Sequence, residues 1–274
     1  MPVINTNTAA NSAVRYLNIN AAEQSSSLSK LASGSKITQA SDDAAGLAIS
    51  TRISSDVTTL QQAATNASQA TSILQTADGG ASNISDILAR MKSLASQSAS
   101  GTVTDSSRAY IQAEFEELTS QIDSIATGTR YSGQSLLDGS SAFAAGVSVL
   151  VGSDATDTIT VTIDDLTATT LGVDTLDISD LAGATAALTA IDTAIDTVSA
   201  ARADIGAQES RFNFSASSIS TQTENLQAAN SAITDVDIAA EQSKLSSAEV
   251  KTQAAVSALS AANKMPEYLL NLLR

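Results

Sequence analysis

IAAEQSKLSSAEVKTQAAVSALSAANK, residues Ile238 to Lys264, is the stretch that decides how this chain folds. Leu245, Ala248, Ala255, Leu259 and Ala262, with Leu269 beyond, return at multiples of the three-and-four step of a helix with one apolar stripe. The other end carries a matching segment, ANSAVRYLNINAAEQSSSLSKLAS from Ala10 to Ser33. Here Ala10, Val14, Leu17, Ala21, Leu28 and Leu31 keep the rhythm, broken only at Gln24. Stripes this thin do not hold a helix in water by themselves. Two of them at opposite ends of one chain are satisfied if the ends pair, and pair again with neighbouring molecules. The pattern is that of an assembling structural protein.

Composition agrees. Hydrophobic residues make up 43% of the 274, yet aromatics are only 3% and Trp is absent, so the apolar content suits thin helical seams. The two prolines, Pro2 and Pro266, leave everything between them free to be continuous helix or strand. With no Cys and no His there is no thiol nucleophile, disulfide, imidazole base or zinc site. The 29 acidic residues leave carboxylate chemistry open, but nothing marks a working pair. No enzyme, cofactor or metal is expected.

The net charge of −15 opposes binding to nucleic acid, which needs clustered Lys and Arg. Between Tyr131 and Ala201 there are ten aspartates and no basic residue, in no spacing that resembles a calcium loop, and the run reads as a solvated face. The first sixty residues are balanced in charge, as a packed interface requires. No basic-then-apolar leader is seen, and no run approaches the roughly 20 apolar residues of a bilayer span. The expectation is a chain with no membrane insertion, soluble or exported without a cleavable signal.

Working inward, a first helix is expected from Val3 to Ser33, capped by Gly34, then a connector over 34–45. Ser41-Asp42-Asp43 supplies capping oxygens for a long helix with Ile53, Val57, Leu60, Ala64, Ala67, Leu74, Ala81, Ile84, Leu88 and Met91. If continuous through Gly79-Gly80, it is on the order of 70 Å long. A shorter helix, capped by Thr104 or Asp105, runs to Gly128. Val147, Val149, Val151 and then Ile159, Val161, Ile163 alternate around Gly152-Ser153-Asp154, a hairpin pattern, and 167–182 reads as turns and short strands. Helix resumes near Gly183 with Leu188, Ile191, Ile195, Val198, Ile205, Phe212, Ala216, Ile219, Leu226 and Ile233 at three-four spacing, interrupted by Arg202, Glu209, Thr223 and Asn230. Those polar positions either meet water or fix register between subunits. The fold class is mainly α: a long antiparallel helical coiled-coil rod with paired terminal helices and a small β-hairpin region.

This layout reaches specific motifs. Val3-Ile4-Asn5-Thr6-Asn7, Leu31-Ala32-Ser33-Gly34-Ser35-Lys36-Ile37 and Ala40-Ser41-Asp42-Asp43-Ala44-Ala45-Gly46-Leu47-Ala48-Ile49 lie on one side. Gly206-Ala207-Gln208-Glu209-Ser210-Arg211-Phe212, Asp235-Val236-Asp237 and Leu269-Leu270-Asn271-Leu272-Leu273-Arg274 lie on the other. In this order the chain resembles bacterial flagellin over essentially its full length, in a minimal form without large outer domains.

The resemblance implies three parts. Residues 1–33 with 235–274 would be inner-tube helices, 34–45 the connector, and 46–182 with 183–234 a rod domain bearing a hairpin at about 130–182. It implies a structural subunit polymerising into the flagellar filament for swimming motility, secreted through type III export to an extracellular filament. The residues implied at subunit contacts or the connector are Lys36, Asp42, Asp43, Arg52 and Arg211, with Leu17, Leu28, Leu31, Leu245, Leu259, Leu269, Leu272, Leu273 and Arg274. Arg90, Leu94 and Glu114 match positions of the family's immune-receptor surface, and residues 140–170 offer hydroxyls for O-linked sugars. Implied partners are further copies of itself, sister flagellins, the flagellar cap, the hook–filament junction proteins, an export chaperone, the export apparatus and an innate immune receptor. The alternative is a hook–filament junction protein; the Asp42-Asp43 block and the Leu272-Leu273-Arg274 ending favour the filament subunit.

Overall fold

A computed structural model describes residues 6–272, with side chains through residue 266. Six helices and two small antiparallel strand pairs follow in the order α1 (Thr8–Ser33), α2 (Ala44–Ser98), α3 (Asp105–Gly128), β1 (Arg130–Tyr131), β2 (Gln134–Ser135), α4 (Ala142–Ala145), β3 (Val147–Leu150), β4 (Thr158–Val161), α5 (Leu181–Thr234) and α6 (Ile238–Leu272). The chain divides into two units. Residues 1–55 with 225–274 form unit 1, and residues 56–224 form unit 2.

Two expectations shift at the helix starts. α1 begins at Thr8 rather than Val3, because extended Asn7 turns its Oδ1 onto the Ala10 N–H at 3.0 Å and so stands outside the helix as its cap. Val3 to Asn5 lie outside the described residues. α5 starts at Leu181 rather than near Gly183, and the stretch 167–180 before it contains no strand. It is a strap, pinned in place by side chains of the helices it crosses.

Unit 2 is built on a continuous seam. From Leu60 the seam of α2 runs through Ala63, Ala67, Ala70, Leu74, Ala77, Ala81, Ile84, Leu88, Met91 and Ala95 to Ser98 in threes and fours, with Gly80 and Leu94 buried beside it. On α5 the same alternation runs from Ala184 and Ala187 through Ile191, Ala194, Val198, Ala201, Ile205 and Gln208 to Phe212. Asp78 of α2 meets Arg202 of α5 at 2.8 Å, and further along α2 Lys92 meets Asp192, earlier on α5, at 2.5 Å. The two helices therefore run antiparallel. From Ala67 onward on α2, and throughout on α5, the alanines and the larger apolar side chains of the two seams belong to one apolar core. α3 closes the third side with Phe115, Ile122 and Ala126.

The small elements are tied to this frame through their backbone groups. Gln208 of α5 accepts from Thr162 N–H and donates to Thr162 C=O, both at 2.9 Å, so its amide closes the edge of the chain just after β4. Asn66 of α2 donates to Leu150 C=O at the end of β3, 3.2 Å. Ile178 in the strap is held likewise: its N–H donates to Gln112 of α3 at 2.8 Å and its C=O accepts from Ser98 of α2 at 2.5 Å. Arg108 is buried at the α2–α3 turn, where it donates to Ser98 C=O and Ser100 C=O and pairs with Asp105. Orphan carbonyls at a helix end are satisfied there by a guanidinium instead of water.

Candidate assembly surfaces

In unit 1, α1 and α6 pack along each other. Asn7 Nδ2 donates to Ala262 C=O at 2.8 Å, and Ser27 Oγ donates to Glu241 Oε1 at 2.7 Å, so early α1 meets late α6 and the pair is antiparallel. On α6 the covered positions are Glu241, Leu245, Ala248, Thr252, Ala255, Leu259 and Ala262. On α1 the seam comprises Ala10, Ala13, Leu17, Asn20, Gln24, Ser27 and Leu31, with Ser26 and Lys30 half-buried beside it. Both sets alternate threes and fours without a break, the geometry of a coiled-coil seam.

For α6 the expected Leu245, Ala248, Ala255, Leu259 and Ala262 are among the covered positions, and Leu269 lies outside the described side chains. For α1 the expected stripe is only half right. Ala10, Leu17 and Leu31 face the partner helix, but Val14, Ala21 and Leu28 do not; their places are taken by Ala13, Asn20 and Ser27. Two stripes that share every seventh residue differ by a modest rotation of the helix. The chosen rotation puts the small side chains of Ala13 and Ser27 against α6 and lets Ser27 reach Glu241. It also carries Leu28 outward to 58% exposure.

The result is a pair that covers four leucines together with small or polar side chains, and leaves other large apolar ones on display. Val14, Tyr16, Ile19 and Leu28 are exposed on α1, and Ile238, Val250, Val256 and Met265 on α6, with Val250 at 70%. A monomeric soluble protein buries such residues first. Tyr16 is additionally roofed by the Arg15 guanidinium, 5.5 Å from the ring centre.

The connector is a second built feature. Gly34 takes the left-handed cap conformation at φ 72° that a Cβ would oppose. Ser35 then forms a β-bridge with Asp235: Lys36 N–H donates to Thr234 C=O at 2.7 Å and Val236 N–H to Gly34 C=O at 3.0 Å. The Lys36 ammonium reaches Ala232 C=O at 3.2 Å. Asp42 folds back to accept from Thr38 N–H at 3.0 Å, Thr38 Oγ1 at 2.9 Å and Gln39 N–H at 3.2 Å. The Thr38 N–H foremost, with the Thr38 hydroxyl and Gln39 behind it, holds that carboxyl below its ordinary pKa. Asp43 caps α2, accepting from Gly46 N–H at 2.9 Å.

Other residues singled out in the sequence separate. Arg52 is exposed on α2 and Arg211 is exposed on α5, the latter in unit 2. Arg90 and Glu114 face solvent and hold each other at 2.5 Å between α2 and α3, whereas Leu94 is 2% exposed and belongs to the core. Leu269, Leu272, Leu273 and Arg274 lie outside the described side chains. Sequence reading assigned no contact to Asn7, Ser27, Glu241, Ser35 or Asp235. Asn7 was the detectable one, an Asn placed just before an apolar rhythm.

At the head of α6, Glu241 lies in the first turn with its carboxylate enclosed by Ser27 and by Lys244 Nζ, 2.9 Å away. The Lys244 bond chiefly, and then the Ser27 hydroxyl, keep the carboxyl ionised below its usual range. Asp237 accepts from Ala240 N–H at 3.0 Å and caps the helix.

Comparison with known proteins gives these surfaces a family. The bacterial flagellin N-terminal helical region matches residues 4–142, and the bacterial flagellin C-terminal helical region matches residues 188–273. A flagellin of Halalkalibacterium halodurans is 35% identical over 274 residues, covering 99% of this chain and 100% of that protein. The flagellar filament 30.7 kDa core protein of Treponema maltophilum is 34% identical over 285 residues, with 99% of both chains covered. The crystal structure of Bacillus cereus flagellin superposes with a TM-score of 0.51 at 32% identity, over 61% of this chain and 94% of that one. A putative flagellar hook-associated protein of Vibrio parahaemolyticus gives 0.58 at 15% identity over 70% of this chain and 99% of that one, a likeness of fold alone that does not favour the junction alternative. With family regions matched at both ends and full-length relatives at about 35% identity, the chain belongs to the bacterial flagellin family and is a structural subunit of the flagellar filament.

Proposed function

We propose that the α1–α6 pair is the surface through which copies of this chain polymerise into that filament. The observation that carries this is the inverted burial of unit 1: Leu28, Tyr16, Ile19, Val250 and Val256 stand in solvent while Ala13, Ser27, Ala248 and Ala255 are covered. Each large apolar side chain brought from water into a contact stabilises it by about 1.5–3 kcal/mol. A handful per copy, repeated at a heterologous contact that does not close, drives an open helical polymer.

In this reading residues 1–33 and 235–274 form the inner layer, 34–45 connect it, and 46–234 supply the rod. Leu17, Leu31, Leu245 and Leu259 hold the pair that presents the surface; Leu28 and the terminal residues Leu269, Leu272, Leu273 and Arg274 meet neighbours. Lys36, Asp42 and Asp43 fix the connector, and Arg52 and Arg211 contact adjacent copies. The filament lies outside the cell. Its other partners in this reading are sister flagellins, the cap, the junction proteins, an export chaperone, the type III export apparatus and, through Arg90 and Glu114, an immune receptor.

Electron microscopy on filament seeds tests it, with the full chain beside a form lacking the residues after Ala239. Long tubes from the full chain and none from the shortened one are expected. Compact particles from both overturn it.

A further inference from the structure

We infer that unit 2 makes filament growth depend on screening by dissolved cations, because it carries the whole net charge of the molecule and repels its own copies. The inference rests on the self-assembly reading above and adds a control to it.

The charge is divided unequally. Unit 1 contains eight acidic and eight basic residues, and unit 2 contains 21 acidic and six basic, so the full −15 falls on residues 56–224. Four of those six basic side chains are already consumed inside unit 2, in the pairs Arg90–Glu114, Lys92–Asp192, Arg108–Asp105 and Arg202–Asp78. Arg130 and Arg211 remain, and Arg130 donates to Thr127 C=O. The acidic side is not consumed: Glu117, Asp164, Asp196 and Asp204 are exposed and make no hydrogen bond or ion pair among the described residues.

Attraction and repulsion therefore sit on different parts of the molecule. The exposed apolar side chains of unit 1 carry no net charge with them and act at contact range. The repulsion of unit 2 acts across a distance set by salt, about 30 Å at 0.01 M and about 8 Å at 0.15 M. At the lower salt each copy feels the charge of its neighbours as a whole; at the higher only side chains in near contact interact. No ion needs to be fixed at any one carboxylate, since a diffuse atmosphere suffices.

The experiment measures the critical concentration for growth of the full chain on filament seeds across sodium chloride. It should fall about tenfold between about 10 mM and about 150 mM salt. A variant with Glu117→Gln, Asp164→Asn, Asp196→Asn and Asp204→Asn should start lower at about 10 mM, respond less steeply, and converge with the parent at about 0.5 M. Magnesium chloride at equal ionic strength should act at least as strongly, and sucrose at equal osmolality should do nothing.

A critical concentration indifferent to salt, or equal slopes for parent and variant, overturns the inference while leaving self-assembly standing. Magnesium acting far below screening concentrations also overturns it, by revealing a fixed cation site. Absence of filaments at every salt overturns the self-assembly reading instead. In that event the repulsion is still tested by light scattering of the monomer, whose second virial coefficient should be positive at about 10 mM and approach zero at about 150 mM; a value indifferent to salt rejects it.

Discussion

Ser27 and Glu241, 214 residues apart in sequence, share a buried hydrogen bond of 2.7 Å that joins the two terminal helices of the chain. It sits in a seam of leucines, alanines and short polar residues, on the face that α1 turns inward. Replacing Ser27 by Ala leaves the enclosed carboxylate short of a donor, at a cost of about 1–3 kcal/mol. Thermal unfolding followed by circular dichroism should show the loss in the full chain, and an unchanged melting curve would remove the bond's claimed role.

The same carboxylate gives unit 1 a pH dependence of known sign. Glu241 has a folded pKa below its ordinary value, so its contribution is present above the unfolded value of about 4.3 and is lost as pH falls through the folded value. Glu241→Gln should flatten the acid side of the stability curve. Urea denaturation at a series of acidic pH values checks this; parallel curves for the two proteins would contradict it.

Glu209 on α5 titrates the other way. One oxygen of its carboxylate is buried without a hydrogen-bond partner, and burial foremost, with repulsion from Asp78 second, raises its pKa. Its stabilising contribution is present below the unfolded value and lost as pH rises through the folded one. Glu209→Gln should therefore raise the melting temperature at about pH 7 and lose that advantage below about pH 4. A variant less stable than the parent at neutral pH would show that the ionised carboxylate has a favourable partner.

Neighbouring glycines in α2 should behave oppositely. A Cβ on Gly80 would fall 2.5 Å from Thr129 Oγ1 and 2.6 Å from Leu137 Cδ1, whereas one on Gly79 meets nothing within 4 Å. Gly80→Ala should destabilise by about 1–3 kcal/mol through overpacking. Gly79→Ala should stabilise by up to about 1 kcal/mol, the helix-propensity difference. Chemical denaturation of both variants decides the matter, and equal effects would refute the packing account.

At the connector, Asp42→Ala with Asp43→Ala removes the acceptor for Thr38 and Gln39 and the cap of α2. Loss of the cap alone costs about 0.5–2 kcal/mol. Filaments of the double variant are expected to form poorly or to melt at lower temperature. Normal filaments with unchanged heat resistance would sink the proposed role of the block.

Much of this was legible in the residues. The three-and-four rhythm marks every long helix, Gly34 and Thr104 mark a stop and a start, and the alternation of Val147 to Val151 with Ile159 to Ile163 marks the hairpin. Such signals are local, since each depends on residues within a few turns of one another. The bonds that Gln208 makes to Thr162, or Ile178 to Gln112 and Ser98, leave no local trace, because an amide or hydroxyl on a helix looks the same in sequence whatever it faces.

By itself the sequence determined a helical, unbridged, acidic chain with two thin terminal stripes, because composition and periodicity restrict what each segment can bury. Only the tertiary structure decided which of two overlapping stripes on α1 faces inward. Ala10, Leu17 and Leu31 belong to both, and the choice between Val14 with Leu28 and Ala13 with Ser27 rests on the shape and charge of the helix opposite. With small residues and Glu241 on that helix, close approach and a buried hydrogen bond outweigh the burial of Leu28, which is left facing water.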